Sequence, residues 1–445
     1  MLPNRKNYVF DTSTLMHDPK SIFNFNGNNV YVPLMVLEEL DNLKNKDGIQ
    51  GFQAREALRN LNATIDGLGD LAISTGIPLD NDIRLFIYVN EQSEQHTAPN
   101  RNYILQATKK ISLLNDNPTT LVTKNLYLRI NGKAMGLSCE DYETDKIVSN
   151  LYSGYDTMQI SEKKLDRIFD SGLKLTDEHN LHPNQFVFVQ SKENERHKSI
   201  ARLEDSRLVP LQHDNKTAWG LRPINAEQKM AFELLMNPDI PFVSITGGAG
   251  CGKTIVATAV ALEKVLEQKE YRKIVFVRPV SPAGDNIGYL PGNEEEKLRP
   301  WMGSFYDAIE NLMNLEPKAK KNKNLDNNLQ ADCFIEDLHR RGIIETKTFT
   351  YMRGRTLSDA FVIVDEAQEI TPHLAKLMLT RAGNNTKFVL IGDPSDNQID
   401  NAMVDSRSNG LVYTVEKLKS SPLTGHVTLN QVERSQLASL AESVL

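Results

Sequence analysis

Short runs of β-branched and aromatic residues alternate with longer stretches of helical spacing along most of the chain. In the first 150 residues, the strand-like runs cover positions 8–10, 30–32, 83–89 and 119–122. Apolar residues recur at helical spacing between these runs, over positions 34–43, 52–61 and 103–114. After Pro223 the strand-like runs return at positions 242–246, 274–277, 345–349, 361–364, 387–391 and 427–429. Both regions therefore predict α/β folds with parallel sheets.

The pattern changes between positions 154 and 222. Apolar runs at 186–189 and 200–203 flank a polar stretch there, which predicts a β-hairpin. We therefore divide the chain into an N-terminal α/β domain (1–150), a small β-rich connector (151–222) and a C-terminal α/β domain (223–445). The connector is either a spacer or a nucleic-acid-binding β module, and we favour the spacer.

Composition narrows the class of protein. The chain has 445 residues, 40% of them hydrophobic and 24% charged, as in ordinary globular proteins. No apolar run approaches the roughly 18 residues that a membrane-spanning helix needs, and the N-terminus lacks a signal-peptide core, so we expect a cytoplasmic protein without membrane contact.

Three separated cysteines argue against a disulfide scaffold or a zinc module. The chain has a net charge of −7, so any binding of nucleic acid has to come from local patches of positive charge.

A phosphate-binding loop lies between a predicted strand and a predicted helix. Its pattern G-x-x-x-x-G-K-[ST] is formed by Gly247, Gly248, Ala249, Gly250, Cys251, Gly252, Lys253 and Thr254. Glycines let several backbone N–H groups face the β- and γ-phosphates at a helix N-terminus. We expect Lys253 to lie along those phosphates and the Thr254 hydroxyl to ligate Mg²⁺.

Two carboxylates end the apolar strand predicted at 361–364. We expect Asp365 to hold Mg²⁺ through its water shell and Glu366 to polarise the attacking water. Gly392-Asp393 follows the next strand, and Gln398 comes shortly afterwards, near the sheet edge where doubly wound folds bind ligands. Gln398 is then a candidate for sensing the γ-phosphate, and a plain turn is the less favoured alternative for Gly392-Asp393.

Many separated motifs over positions 225–434 resemble, in order, those of the PhoH family of ATPases, which are relatives of superfamily 1 helicases. They include Asn225–Gln228, Gly247–Thr254, Val277–Pro279, Gly288–Gly292, Arg299–Trp301, Tyr351–Thr356, Asp365–Gln368, Leu379–Arg381 and Gly392–Asp393. The resemblance implies a RecA-like P-loop NTPase domain that uses ATP and Mg²⁺, with Gln228 at the adenine. It places Arg353 and Arg355 in a motif that faces RNA or a neighbouring subunit. Without the family, the same arginines beside Tyr351 suit nucleic-acid binding or a surface turn.

The assembly prediction follows from the single ATPase domain. Related helicases place ATP between two such domains, and this chain has room for only one. An arginine from a neighbouring subunit is the usual replacement because it stabilises the transferring phosphoryl charge. Arg434 matches the family's C-terminal arginine and is our candidate for this role. Arg381 is the second candidate. We expect a ring-shaped homo-oligomer, a hexamer.

The N-terminal region resembles a PIN-type nuclease domain, which precedes the ATPase in one PhoH subgroup. Such domains gather carboxylates around Mg²⁺ or Mn²⁺, and Asp11 and Glu39 occupy the first two family positions. Arg101, in Asn100-Arg101-Asn102, and Asn125 stand where the family has acids, while Asp141 is a partial substitute. An arginine repels a divalent cation, and an asparagine binds one less well than a carboxylate. The substitutions favour an RNA-binding or scaffold domain over an active nuclease.

Together these features predict an ATP-hydrolysing, RNA-directed motor with a PIN-type domain whose acidic site is partly degraded. Its partner is single-stranded RNA, with DNA not excluded. One alternative is a ring ATPase that remodels RNA or ribonucleoprotein without cleavage. Another is a nucleotide-dependent switch or scaffold, against which Glu366 argues, because a pure binder needs no water-polarising carboxylate.

Overall fold

The computed structural model describes residues 5–46, 48–66, 76–89, 100–114, 116–142, 151–175, 179–279, 302–315, 327–348, 356–401 and 403–431. The chain forms two compact units. The first consists of residues 1–146 with 371–373 and 401–408, and the second of 147–370, 374–400 and 409–445. Among the described helices, none is both long enough and apolar enough to cross a bilayer.

The first unit contains a six-stranded sheet of order β3-β4-β2-β1-β5-β6. Its strands are β1 (Asn7–Phe10), β2 (Asn29–Pro33), β3 (Ile77–Leu79), β4 (Ile83–Tyr88), β5 (Thr119–Val122) and β6 (Ser138–Glu140). Its helices are α1 (Thr12–His17), α2 (Leu34–Leu43), α3 (Gly48–Ile65), α4 (Asn100–Ser112) and α5 (Leu126–Ala134).

Strand β1 lies in the middle of this sheet and pairs in parallel with β2 and β5. Val9 and Phe10 are completely buried there, as expected for a strand that is covered on both faces. The predicted parallel sheet is confirmed by the pairs that join β4, β2, β1, β5 and β6, and β3 adds an antiparallel edge by pairing with β4. Only a three-residue turn, Asp80–Asp82, separates these two strands, too short for a parallel crossover.

The second unit begins with a five-stranded sheet of order β7-β9-β10-β11-β8. Its elements are β7 (Tyr155–Ile160), α6 (Glu162–Ser171), β8 (Leu173–Lys174), β9 (Phe186–Ser191), β10 (Lys198–Glu204) and β11 (Arg207–Pro210). The predicted hairpin is confirmed by the antiparallel pairing of β9 with β10. Strand β7 forms an edge of this sheet by pairing in parallel with β9, and the sequence pattern did not predict this strand.

The larger sheet of the second unit has the order β14-β13-β15-β16-β12-β17, and all of its pairs are parallel. Its strands are β12 (Phe242–Gly247), β13 (Lys273–Arg278), β14 (Ile344–Thr348), β15 (Ala360–Val364), β16 (Thr386–Gly392) and β17 (Thr424–Leu429). The helices are α7 (Ala226–Met236), α8 (Lys253–Leu262), α9 (Gly303–Leu315), α10 (Asn327–Arg340), α11 (Pro372–Leu379, of which the first two residues are counted with the first unit) and α12 (Gly410–Leu418).

Parallel pairing brings the carboxyl ends of the large sheet's strands to one edge. Strand β12 lies between β16 and β17, and β15 lies on the other side of β16. The residues after β12, β15 and β16 are therefore neighbours in space, although 146 positions separate Gly247 from Asp393 along the chain. This edge is where an open α/β sheet binds its ligand.

Candidate nucleotide-binding site

The glycine-rich loop connects β12 directly to helix α8. Gly247, Gly250 and Gly252 all have positive φ angles, of 149°, 87° and 89°, which side chains other than glycine rarely adopt. A Cβ on Gly247 would also lie 2.2 Å from the Leu429 carbonyl oxygen of β17. Gly252 is the N-cap of α8, so the loop ends at the positive end of a helix dipole. This backbone fits the phosphates of a nucleotide.

Lys253 is the first residue of α8 and points back over the loop. Its Nζ donates hydrogen bonds to the carbonyl oxygens of Gly247, at 2.6 Å, and Gly248, at 2.7 Å. These two carbonyls hold the ammonium group directly above the loop backbone. Thr254 follows it in the first turn of the helix, so its hydroxyl belongs to the same helix end.

Gln228, on α7, is bonded to the glycine-rich loop. Its Nε2 donates to the Cys251 carbonyl oxygen at 3.2 Å, and its Oε1 accepts from the Ile224 N–H at 3.2 Å. Cys251 is buried in the same core. The family resemblance assigned Gln228 to the adenine, which stays a prediction, whereas the bond to Cys251 gives this side chain a role in shaping the loop.

Asp365 follows β15 and has a buried carboxylate. Its Oδ2 accepts a hydrogen bond from the Ser304 hydroxyl at 2.6 Å, and the residue is only 4% exposed. Burial, together with the neighbouring Glu366 charge, raises the pKa of the Asp365 carboxyl above its usual range. A buried carboxylate is costly without a cation, and Mg²⁺ prefers oxygen ligands such as this carboxylate and the Thr254 hydroxyl. The donor set therefore fits Mg²⁺.

Glu366 lies next to Asp365 and has a left-handed backbone, with φ of 52°. Such a conformation is uncommon for a residue other than glycine and is concentrated at functional sites. The Glu366 carboxylate has two described partners, one on each oxygen. Arg278, the last residue of β13, approaches Oε1 at 3.4 Å, and the Gln368 Nε2 donates to Oε2 at 2.6 Å.

Gln368 also bonds to the segment after β16. Its Oε1 accepts from the Asp393 N–H at 3.1 Å, and its Nε2 donates to the Gln398 carbonyl oxygen at 3.2 Å. The Gln398 side chain itself is exposed. Sequence reasoning did not select Gln368, although its place in the Asp-Glu-Ala-Gln motif was a signal.

A cavity of about 320 Å³ opens beside Gly247 and Gly248. Tyr152 and Ser153, which precede β7, line it together with residues of the large sheet. The Ser153 carbonyl oxygen accepts a hydrogen bond from the Thr428 N–H of β17 at 2.9 Å. The start of the region predicted to be a spacer thus packs against the nucleotide-binding sheet.

The PIN-type candidates Asp11 and Glu39 are both bonded to hydroxyl groups. Asp11 is the N-cap of α1, and its Oδ2 accepts from Ser13 Oγ at 2.5 Å and Thr123 Oγ1 at 2.7 Å. Glu39, on α2, accepts from the Thr12 hydroxyl. These two carboxylates therefore have local partners that anchor them to the carboxyl end of β1.

Asp141, just after β6, is neutralised by two cations of the same unit. Arg129 lies 3.0 Å and Lys124 3.4 Å from its carboxylate oxygens. Asn125 caps α5 by accepting from the Leu128 N–H at 3.3 Å. Within the described ranges, no three His, Cys, Asp or Glu side chains are grouped so that they could hold a metal ion. The predicted grouping of Asp11, Glu39 and Asp141 around Mg²⁺ or Mn²⁺ stays a prediction.

Arg353, Arg355 and Arg434 lie outside the described residues, as does the side chain of Arg101. Arg381 is described, and its carbonyl oxygen accepts from the Leu357 N–H at 2.9 Å.

The strand, glycine-rich loop and helix, with acidic residues after the parallel strand β15, define a P-loop NTPase domain. Residues 220–444 match the family model described as PhoH-like protein, and residues 8–143 match that of a PIN domain. The chain belongs to the PhoH-like family, as a fusion of an N-terminal PIN domain with a PhoH domain.

Three curated relatives named protein PhoH2 are similar over almost the whole chain. The one from Bacillus subtilis is 38% identical and covers 99% of this chain and 100% of its own length. Those from Thermobispora bispora and Mycolicibacterium smegmatis are 33% and 31% identical, over 99% of this chain and 96% and 97% of their own lengths. Among solved structures, the Pif1 helicase from Candida albicans is 13% identical over 50% of this chain and 43% of its own, with a TM-score of 0.24.

Proposed function

We propose that this protein hydrolyses ATP and uses the energy to act on single-stranded RNA as a helicase-like motor. The observation that carries the proposal is the position of Glu366. It follows Asp365 at the sheet edge where the glycine-rich loop begins, and its carboxylate is held by two side chains. A protein that only bound nucleotide would have no use for a carboxylate placed to polarise water.

Each residue of the site has a separate task. The loop backbone and Lys253 bind the β- and γ-phosphates, and Gln228 supports the loop while facing the adenine. Thr254 and Asp365 hold Mg²⁺, which supplies charge neutralisation for the phosphoryl oxygens. Glu366 orients the attacking water and accepts its proton, and Gln398 responds to the γ-phosphate.

Assembly completes the site. With one NTPase domain per chain, we propose a hexameric ring in which Arg434 of each subunit stabilises the phosphoryl charge at its neighbour's ATP. Arg353 and Arg355 contact RNA or the adjacent subunit. Light scattering tests the ring: a monomer with full ATPase activity would contradict it. The division at positions 150 and 222 remains our proposal for the domain boundaries.

The PIN unit has the role of an RNA-binding or scaffold domain in this proposal. Support comes from Asp141, whose carboxylate is already paired with Lys124 and Arg129 and has little charge left for a divalent ion. The test is incubation of single-stranded RNA with Mn²⁺ and the purified protein. Cleavage that disappears in Asp11→Asn would show that this unit is a nuclease.

ATP hydrolysis with and without RNA tests the central function. We expect single-stranded RNA to raise the steady-state rate, with Lys253→Ala as the inactive control and single-stranded DNA as the comparison. Rapid ATP hydrolysis that neither single-stranded RNA nor single-stranded DNA changes would favour remodelling of protein or ribonucleoprotein. Binding of ATP without hydrolysis in any condition would favour a switch.

A further inference from the structure

One side-chain amide connects three separate parts of the ATP site. The Nε2 group of Gln368 donates to the Glu366 carboxylate and to the Gln398 carbonyl oxygen, while its Oε1 accepts from the Asp393 N–H. Both amide hydrogens and the amide oxygen therefore have partners, and the side chain is only 1% exposed. This pattern fixes the orientation of the amide, because a flipped amide would set its NH₂ group against the Asp393 N–H and its oxygen against the Glu366 and Gln398 oxygens.

The Gln368 amide occupies space that is open only because the neighbouring residue is a glycine. A Cβ on Gly392, the last residue of β16, would lie 2.3 Å from the Gln368 Oε1 and 3.0 Å from Leu411 Cδ2. Gly392 is not among the residues with positive φ, so backbone conformation does not explain the glycine. Room for Gln368 does explain it, which gives the Gly392-Asp393 pair a function beyond that of a turn.

The amide determines how Glu366 is oriented. Arg278 and Gln368 hold opposite oxygens of the carboxylate, and the Gln368 contact, at 2.6 Å, is the shorter of the two. Asp365, the other charged neighbour, bonds instead to Ser304. If Gln368 moves, the carboxylate keeps only the longer contact with Arg278 among these partners.

We propose that Gln368 is a positioning residue that couples the segment between Asp393 and Gln398 to the orientation of Glu366. The inference rests on the proposed function and adds its regulation. When the γ-phosphate or bound RNA moves this segment, the Asp393 N–H and the Gln398 carbonyl oxygen move with it. The Gln368 amide follows these two partners and turns Glu366 toward or away from the attacking water. The rate of hydrolysis thereby depends on the state of the segment.

The test is a double-mutant cycle between Gln368→Met and Glu366→Gln. Methionine has a similar size and no amide. We expect Gln368→Met alone to lower kcat by about 10- to 100-fold, with KM for ATP and the Kd of a fluorescent ATP analogue changed by less than about threefold. In the Glu366→Gln background, where the carboxylate is absent, the same substitution should have almost no further effect.

The matched control is Gln185→Met, at the residue that directly precedes β9 of the small sheet. Gln185 is also buried, and its Oε1 accepts from the His182 N–H at 2.8 Å. Rates are divided by the fraction of molecules that bind the ATP analogue, so partial unfolding does not count as lost catalysis. The control should keep the wild-type kcat.

Two outcomes overturn the inference while leaving the proposed function intact. One is an active wild type with a Gln368→Met kcat equal to that of the control. The other is an equal loss in both backgrounds, since a residue acting through the Glu366 carboxylate cannot matter when the carboxylate is gone. A wild type without hydrolysis would instead contradict the proposed function itself.

Discussion

His426 makes the stability of the nucleotide-binding domain sensitive to acid. It lies in β17, with Nδ1 at 2.9 Å from the Ser244 hydroxyl and Nε2 at 3.2 Å from the Thr428 hydroxyl. Burial lowers the pKa of His426 from 6.5 to about 4. The folded protein therefore favours the neutral ring, whereas the unfolded chain takes up a proton near pH 6.5.

The direction and size of the effect follow from that difference. Above pH 6.5 the ring is neutral in both the folded and the unfolded state, so His426 does not change the free energy of unfolding there. Below pH 6.5 the unfolded chain binds the proton more readily, and the free energy of unfolding falls. The loss from this one residue amounts to about 2 kcal/mol between pH 7 and pH 5, and to about 3 kcal/mol by pH 4.

Urea unfolding measures this loss in wild type and His426→Gln at pH 7 and pH 5. Trp219 lies in the same buried cluster as Val427 and Leu429, so its fluorescence in a Trp301→Phe background reports on this core. We expect the wild type to lose about 2 kcal/mol more than the variant between the two pH values. Replacing the exposed His179 by Gln is the control and should leave the pH dependence unchanged. Equal pH dependence in wild type and His426→Gln would refute the reasoning.

Four further predictions address the two sites. Lys253→Ala should weaken ATP binding by about tenfold or more, as seen in a binding titration, whereas Glu366→Gln should keep binding and lower kcat by about 10²- to 10⁴-fold. Unchanged turnover would remove Glu366 from the mechanism. Gly392→Ala should displace the Gln368 amide and lower kcat while ATP still binds, and a wild-type rate would contradict this. Mn²⁺ should promote no RNA cleavage that depends on Asp11, as judged on denaturing gels.

The sequence predicted the parts of the fold that depend on local pattern. The helix expected at 34–43 is α2, with the same bounds, because its apolar residues recur at helical spacing. The glycine-rich loop was also predictable. Gly247 and Gly252 have backbone conformations that other residues avoid, so the loop requires glycines that are visible in the sequence. Strand β7 was missed because its exposed polar residues, such as Asp156 and Thr157, obscure the strand pattern.

The interactions between distant positions could not be predicted from the sequence. Gln368 meets Asp393 only because β15 and β16 are adjacent parallel strands. The pairing of Asp141 with Lys124 and Arg129 depends likewise on β5 lying beside β6. Substitutions in the sequence predict a weakened acidic site, and the fold in addition brings two cations to the Asp141 carboxylate.

The steady-state ATPase rate of the purified protein, with and without single-stranded RNA, tests the central claim most directly. Lys253→Ala provides the blank, and single-stranded DNA of the same length provides the comparison. The account predicts hydrolysis by the wild type that RNA stimulates and that the blank lacks. Binding of ATP with no hydrolysis above the blank, with or without RNA, would contradict it.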